Sequence, residues 1–228
     1  MSENNRMYMD KVLKTETLEF ADINKRLASP SMARVLHATL GISSEIGELL
    51  EAVVDGDEPR ILEELGDAFW YGGTGAHALM FIGAEMSPES VFGQELETTR
   101  ASSLADTRIA SIMPIMTAMI KDAEMLQSNV KAHIYYGRRF RCNAAFTNFF
   151  TILDHCKRIG LSYGWSKTDI MEANNKKLLG KETGRYKGGF SADDANHRDL
   201  ETERAGLEES AERKSAVEFV NSFGEKNN

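Results

Sequence analysis

The sequence predicts an all-α fold, and three observations carry that prediction. Apolar residues recur every three to four positions along almost the whole chain, the spacing of a buried helix face. Only four prolines interrupt 228 residues. No run of useful length alternates Val, Ile or Thr with polar residues, as a half-buried strand would.

The elements follow in order. Val12, Leu13, Leu18, Phe20, Ile23 and Leu27 predict one helix ending near Ser29-Pro30. Pro30 then opens a second, since proline's missing N–H costs nothing in a first turn. Val35, Leu36, Leu40, Ile42, Ile46, Leu49, Leu50 and Val53 carry it to about Val54, where Asp55-Gly56-Asp57 ends it. Pro59 starts a third through Ile61, Leu62, Leu65 and Phe69. The stretch 83–107 is weaker, with Ser87-Pro88-Glu89 a helix start and Thr98-Thr99-Arg100 a connection. Helices over 109–135 and 141–160 flank Tyr136-Gly137-Arg138. Another runs from Ser166 to Leu179, with Ser166-x-x-Asp169 as its N-terminal cap. A glycine-rich bend, Thr183 to Gly189, precedes a charged helix at about 199–219.

Bulk composition narrows the function. Hydrophobic residues make up 42% and charged residues 27%, enough apolar material for a real core. A net charge of −8 argues against a nucleic-acid partner, whose phosphates require clustered Lys and Arg. The apolar run Ile109 to Ile120 is too short to span a bilayer and reads as buried helix, so no membrane role is expected. Cys142 and Cys156, roughly 21 Å apart on one helix, cannot bridge. With a polar N-terminus this suits a reducing cytoplasm.

The stretch GISSEIGELLEAVVDGDEPRILEELGDAFWY concentrates the chemistry. Residues three apart on a helix meet. Glu45 and Glu48 therefore pair on one helix, and Glu64 and Asp67 pair on the next. A hairpin that faces the two pairs gathers four carboxylates, which repel unless cations neutralise them. Mg²⁺, a hard ion that takes oxygen ligands, is the expected occupant, with Mn²⁺ as substitute. Glu51 continues the spacing as a fifth acid, while Glu63 is expected to face water. A solvated acidic face remains the alternative from spacing alone. A di-iron bundle is disfavoured, since no Glu-x-x-His occurs, and no Walker-type glycine loop is present.

Glu45-x-x-Glu48, fifteen residues, then Glu64-x-x-Asp67 resembles the acidic motif of the MazG-like all-α nucleoside triphosphate pyrophosphatases. MEANNKKLLGKETGRYKGGF (Met171 to Phe190) and HRDLETER (His197 to Arg204) resemble that family's later blocks, in the same order. Two departures stand out. LGKETG lengthens the path from Lys177 to Arg185, and His197 replaces a usual asparagine.

The resemblance implies a helical bundle over 1–190, with an acidic hairpin at 32–84 and a charged C-terminal helix and tail at 191–228. It implies Mg²⁺-dependent hydrolysis of nucleoside triphosphates to the monophosphate and pyrophosphate. Glu45, Glu48, Glu64 and Asp67 would be the metal ligands, with Glu45 or Glu48 acting on the attacking water. Asn174 would touch phosphate or sugar, while Lys177 and Arg185 would neutralise phosphate charge. A homo-oligomer, dimer or tetramer, is also implied. Alternatives are a base-selective dUTPase- or dCTPase-like member and a non-catalytic nucleotide-sensing protein. A weak echo of the hairpin within 109–180 reads either as a degenerate duplicated unit or as an unrelated amphipathic hairpin. Trp70 or Phe69 could stack on a base or pack in the core. Arg138-Arg139-Phe140-Arg141 could attract phosphates or start a solvated helix.

Overall fold

The computed structural model describes residues 3–16, 18–96, 105–180, 184–186, 193 and 196–211, and every regular element among them is helical. These are α1 (Glu3–Thr15), α2 (Phe20–Leu27), α3 (Pro30–Asp55), α4 (Glu58–Met80), α5 (Ala105–Tyr136), α6 (Cys142–Ser162) and α7 (Lys167–Leu179). A 3₁₀ turn at Pro88–Phe92 and a helical stretch at 200–211 complete the set.

Local chemistry sets the boundaries of the acidic hairpin. Ser29 Oγ accepts from the Met32 N–H and Pro30 occupies the first turn, which starts α3. Gly56 ends it at φ 71°, a left-handed conformation that favours glycine. Asp57 then caps α4 by accepting from the Arg60 N–H. The two helices return antiparallel with one residue between the glycine and α4.

Four long helices form a square. α3 packs on α4 and α5, and α6 packs on α4 and α5. Neighbours run antiparallel: Gly72 meets Leu153 while Gly75 meets Phe149, and Gln127 bonds Ser43 while Arg108 bonds Glu58 at the far end. α4 and α5 therefore run the same way, so the chain must return the length of the bundle between Met80 and Ala105. The centre is filled by Ile42 and Leu49 of α3, Ile61 and Leu65 of α4, Met116 and Leu126 of α5, and Phe149 and Ile152 of α6. Each such side chain contributes about 1.5–3 kcal/mol on burial. α7 lies on α4. That approach needs Gly66, where a Cβ would sit 2.8 Å from the Asn174 Cβ.

Three expectations change. The single first helix is two, because α1 ends at Thr15 and α2 begins at Phe20. The apolar residues of α1 find no core: Met7, Tyr8, Val12 and Leu13 are all exposed. The 109–120 run is amphipathic rather than wholly buried, with Ile112, Met116 and Met119 inside and Met113 and Ile120 exposed. The start at Ser87-Pro88 yields only one 3₁₀ turn. Thr98-Thr99-Arg100 and most of the glycine-rich bend lie outside the described residues, as does the C-terminal helix beyond 211. Both cysteines are free and lie on α6. Among the described residues no helix is long and apolar enough to cross a membrane.

A Cβ on Gly75 would fall 2.4 Å from the buried Phe149 ring. Gly75→Ala should therefore destabilise the fold by about 1–3 kcal/mol through overpacking, despite alanine's better helix propensity. A urea titration followed by circular dichroism checks this.

Candidate metal centre

Two facing turns of the hairpin bring the acids together. Glu45, Glu64 and Asp67 each offer an oxygen within 4.8 Å of the others. Glu64 is only 4% exposed, the most buried of the set. Glu48 is exposed; it borders the same cavity but stands outside the three-oxygen cluster. Glu51 stands outside the cluster, exposed and paired at 3.1 Å with Arg60, which also reaches Glu64. Glu63 does not face water freely: it pairs with Lys177 at 3.3 Å and Arg198 at 3.0 Å.

Electrostatics mark Glu45 and Glu64 as a weakly compensated pair. Burial, the hydrogen bond with Glu64 and the charges of Asp67, Glu64 and Glu48 push Glu45 up to about 9. Glu64 rises to about 7, chiefly through burial and then the charges of Glu63, Glu48 and Asp67; the hydrogen bond from Glu45 partly offsets this. Glu45 is therefore the proton donor of the pair. Arg60 Nε reaches Glu64 only at 3.4 Å.

Asp67 is held differently. Lys177 Nζ lies 2.6 Å from both of its oxygens, and Asn174 Nδ2 donates to Oδ1 at 2.7 Å. Lys177 is 1% exposed at its side chain. Asn174 and Lys177, expected on phosphate or sugar, reach the acid cluster through Asp67, and neither lines the cavity. They orient and neutralise Asp67 instead of facing an incoming phosphate. The reason is the close approach of α7 to α4 over Gly66.

Arg185 does line the cavity, paired bidentately with Glu203 at 2.8 and 2.6 Å. Arg198 grips the same carboxylate at 3.2 and 2.7 Å. Burial opposes ionisation of Glu203, but the hydrogen bonds from Arg185 and Arg198 outweigh it and lower its pKa. Arg60 and Arg204 complete a basic rim around a recess of about 360 Å³ whose floor is acidic. Tyr71 forms one wall, and its ring occupies the space a Cβ on Gly41 would need. Trp70 lies edge-on to Tyr71 at 5.0 Å and is 41% exposed, whereas Phe69 is core. Tyr186 lies against Arg185, its ring 5.8 Å from the guanidinium.

The roles of Arg198, Glu203, Arg60 and Tyr71 were missed in the sequence. Arg60 sits four residues before Glu64 and Tyr71 four after Asp67, a helical spacing that could have flagged both. Arg198 and Glu203 lie in the HRDLETER block that the resemblance marked, but nothing local assigns their partners. They join the hairpin only through the fold.

The donor set fits a hard divalent cation. Oxygens around one octahedral Mg²⁺ lie up to roughly 4 Å apart, so a spread of 4.8 Å needs only a small side-chain adjustment. Two carboxyls sharing a proton in a half-buried cleft, with the lysine spent on Asp67, leave a charge deficit that a cation would fill. Compared with known protein families, curated proteins and solved structures, the chain matches none.

The raised carboxyls make metal-free stability pH-dependent. Folded values above the unfolded 4.5 mean that the native state binds the extra protons. Their contribution is fully present below pH 4.5 and is lost as pH rises through about 7 and 9. In EDTA the thermal midpoint should therefore fall between pH 5 and 9, and Glu45→Gln should flatten that fall. Lys177→Met, which strands Asp67 beside Glu63, should cost about 3 kcal/mol in chemical denaturation at pH 7.

Proposed function

We propose that the chain is a divalent-metal-dependent nucleoside triphosphate pyrophosphohydrolase. One observation carries the reading: a carboxylate floor suited to Mg²⁺ or Mn²⁺ and a rim of four arginines share a single recess. A polyphosphate needs both, a cation to bridge its oxygens and fixed positive charge along its length. Glu45, Glu64 and Asp67 would hold the ion, which when bound supplies charge neutralisation and Lewis acidity.

The chain's own groups do the rest. Glu48, at the cavity rim, is placed to orient a water and accept its proton. Arg185 and Arg198 present planar forks to terminal phosphate oxygens, exchanging Glu203 for the substrate. Lys177 and Asn174 keep Asp67 in place. Attack of water at the α-phosphorus would form one P–O bond and break the α–β bridge, releasing monophosphate and pyrophosphate.

The aromatic wall favours a base-selective variant of this activity. Tyr71 borders the recess, with Trp70 and His37 edge-on to it at 5.0 and 5.5 Å. The hairpins stack α3 on α5 and α4 on α6, as two halves of a duplicated unit would. Exposed Leu40, Trp70, Ile120 and Met125 support a homo-oligomer.

Incubation with each (d)NTP and Mg²⁺ should release pyrophosphate rather than orthophosphate. Glu48→Gln and Asp67→Asn should each lower turnover at least a hundredfold while helical circular dichroism is retained. Orthophosphate as first product, or full activity in both variants, would contradict this reading.

A further inference from the structure

The run Arg138-Arg139-Phe140-Arg141 plays no part in the carboxylate recess. Its Arg139, Phe140 and Arg141 form one wall of a larger cavity, about 900 Å³, at the other end of the bundle. Met32 borders that cavity and lies thirteen residues before Glu45 on α3, about 20 Å along the axis. The two sites are therefore separate.

Charge is the first argument. Lys25, Arg26, Arg139 and Arg141 converge on this cavity, against Glu85 as the one carboxylate among its lining residues. The chain as a whole carries −8. Arg60, Arg108, Arg158, Arg185, Arg198 and Arg204 each have a carboxylate partner. Among the described residues the four cavity cations form no ion pair. Four cations facing a single carboxylate leave net positive charge, which a bound anion would offset.

The second argument is that the wall is built rather than draped. Asn129, 4% exposed, donates to the Arg141 carbonyl at 3.0 Å and accepts from the Arg141 N–H at 3.2 Å. The Arg138 N–H donates to Ala132 O at 3.1 Å, and His133 Nδ1 lies 2.8 Å from Arg138 O. Gly137 takes the left-handed turn, φ 62°, that the loop requires. Arg26 is pinned by its Nε donating to Ile134 O at 2.6 Å. The loop thus holds its arginines on a fixed backbone before any ligand arrives.

Two further features select the ligand. The amides of Cys142, Asn143 and Ala144 precede the first intrahelical bond of α6, from Ala145 N–H to Arg141 O, and border the cavity. No side chain caps them and no acid occupies that first turn, so they add donors for an anion. Phe140 and Met32 give the same cavity an apolar wall, and its volume suits a small organic molecule.

We propose that this cavity binds a phosphate-bearing small molecule, with Arg26, Arg139 and Arg141 on the phosphate and Phe140 against any organic portion. The site is independent of the activity proposed for the carboxylates, and its test uses no turnover.

Pyrophosphate and AMP are titrated separately into the full chain by calorimetry in EDTA, so that the carboxylates cannot capture a metal–phosphate complex. At least one should bind with one-to-one stoichiometry. The double variant Arg139→Glu/Arg141→Glu, at two exposed positions, should weaken binding tenfold or more with helicity unchanged. Arg185→Ala, at the opposite end, should leave it within twofold. Binding of pyrophosphate alone assigns an inorganic anion, and tighter binding of AMP assigns a nucleotide. Absence of binding by both, survival of binding in the double variant, or its loss in Arg185→Ala instead, overturns the proposal.

Discussion

Two carboxyls taken out of water between α3 and α4 impose the constraint on which the rest of this structure turns. Burying charge without a partner is costly, so Glu45 and Glu64 share a proton. Everything nearby is arranged around that debt of positive charge. Lys177 and Asn174 settle Asp67 alone, and the arginines beyond it are tied to Glu203 and Glu63. The interior of the hairpin is otherwise apolar, with Ile46, Leu49, Ile61 and Leu65 sealing the side away from solvent. The result is a recess whose acidic floor is backed by apolar packing and only partly neutralised.

Rigidity behind the cleft comes from shape. Glycines at 66, 72 and 75 put α4 in near-backbone contact with α7 and α6, where Asn174, Leu153 and Phe149 fill the space a Cβ would occupy. One helix thus carries two functions along its length. Its acids point to the recess, while its glycines lock it to the bundle. Movement of α6 or α7 would be felt at Glu64 and Asp67 directly.

How much of this was legible depended on range. The bounds of α3 and α4, and the capping box of α7, rest on residues within four positions of each other, and Pro30, Gly56, Asp57 and Ser166 announced them. The pairing of Glu45 with Glu64 was legible for a similar reason, because a short turn leaves a hairpin little choice of register. Lys177 and Asn174 were singled out, yet their partner, Asp67, lies 110 and 107 positions away, and nothing local says whether they face a ligand or a carboxylate. Glu203 and Arg198 sat in a block that was singled out, yet their pairing with Arg185 and Glu63 was illegible for the same reason. The break between α1 and α2 was missed because apolar residues at helical spacing imply a core contact that Val12 and Leu13 never make.

The segment that closes over the recess from the C-terminal side is fastened in two unlike ways. Leu207 is inserted into protein, 3% exposed, whereas Arg204 on Asp57, Lys176 on Glu209 and Arg198 on Glu63 are ionic clasps at the rim. Dissolved ions shield the clasps over about 8 Å at physiological strength and leave the leucine plug untouched. Brine would therefore loosen the edges of this cover while its hinge-pin stayed seated, so that access to the acidic floor varies with the saltiness of the medium.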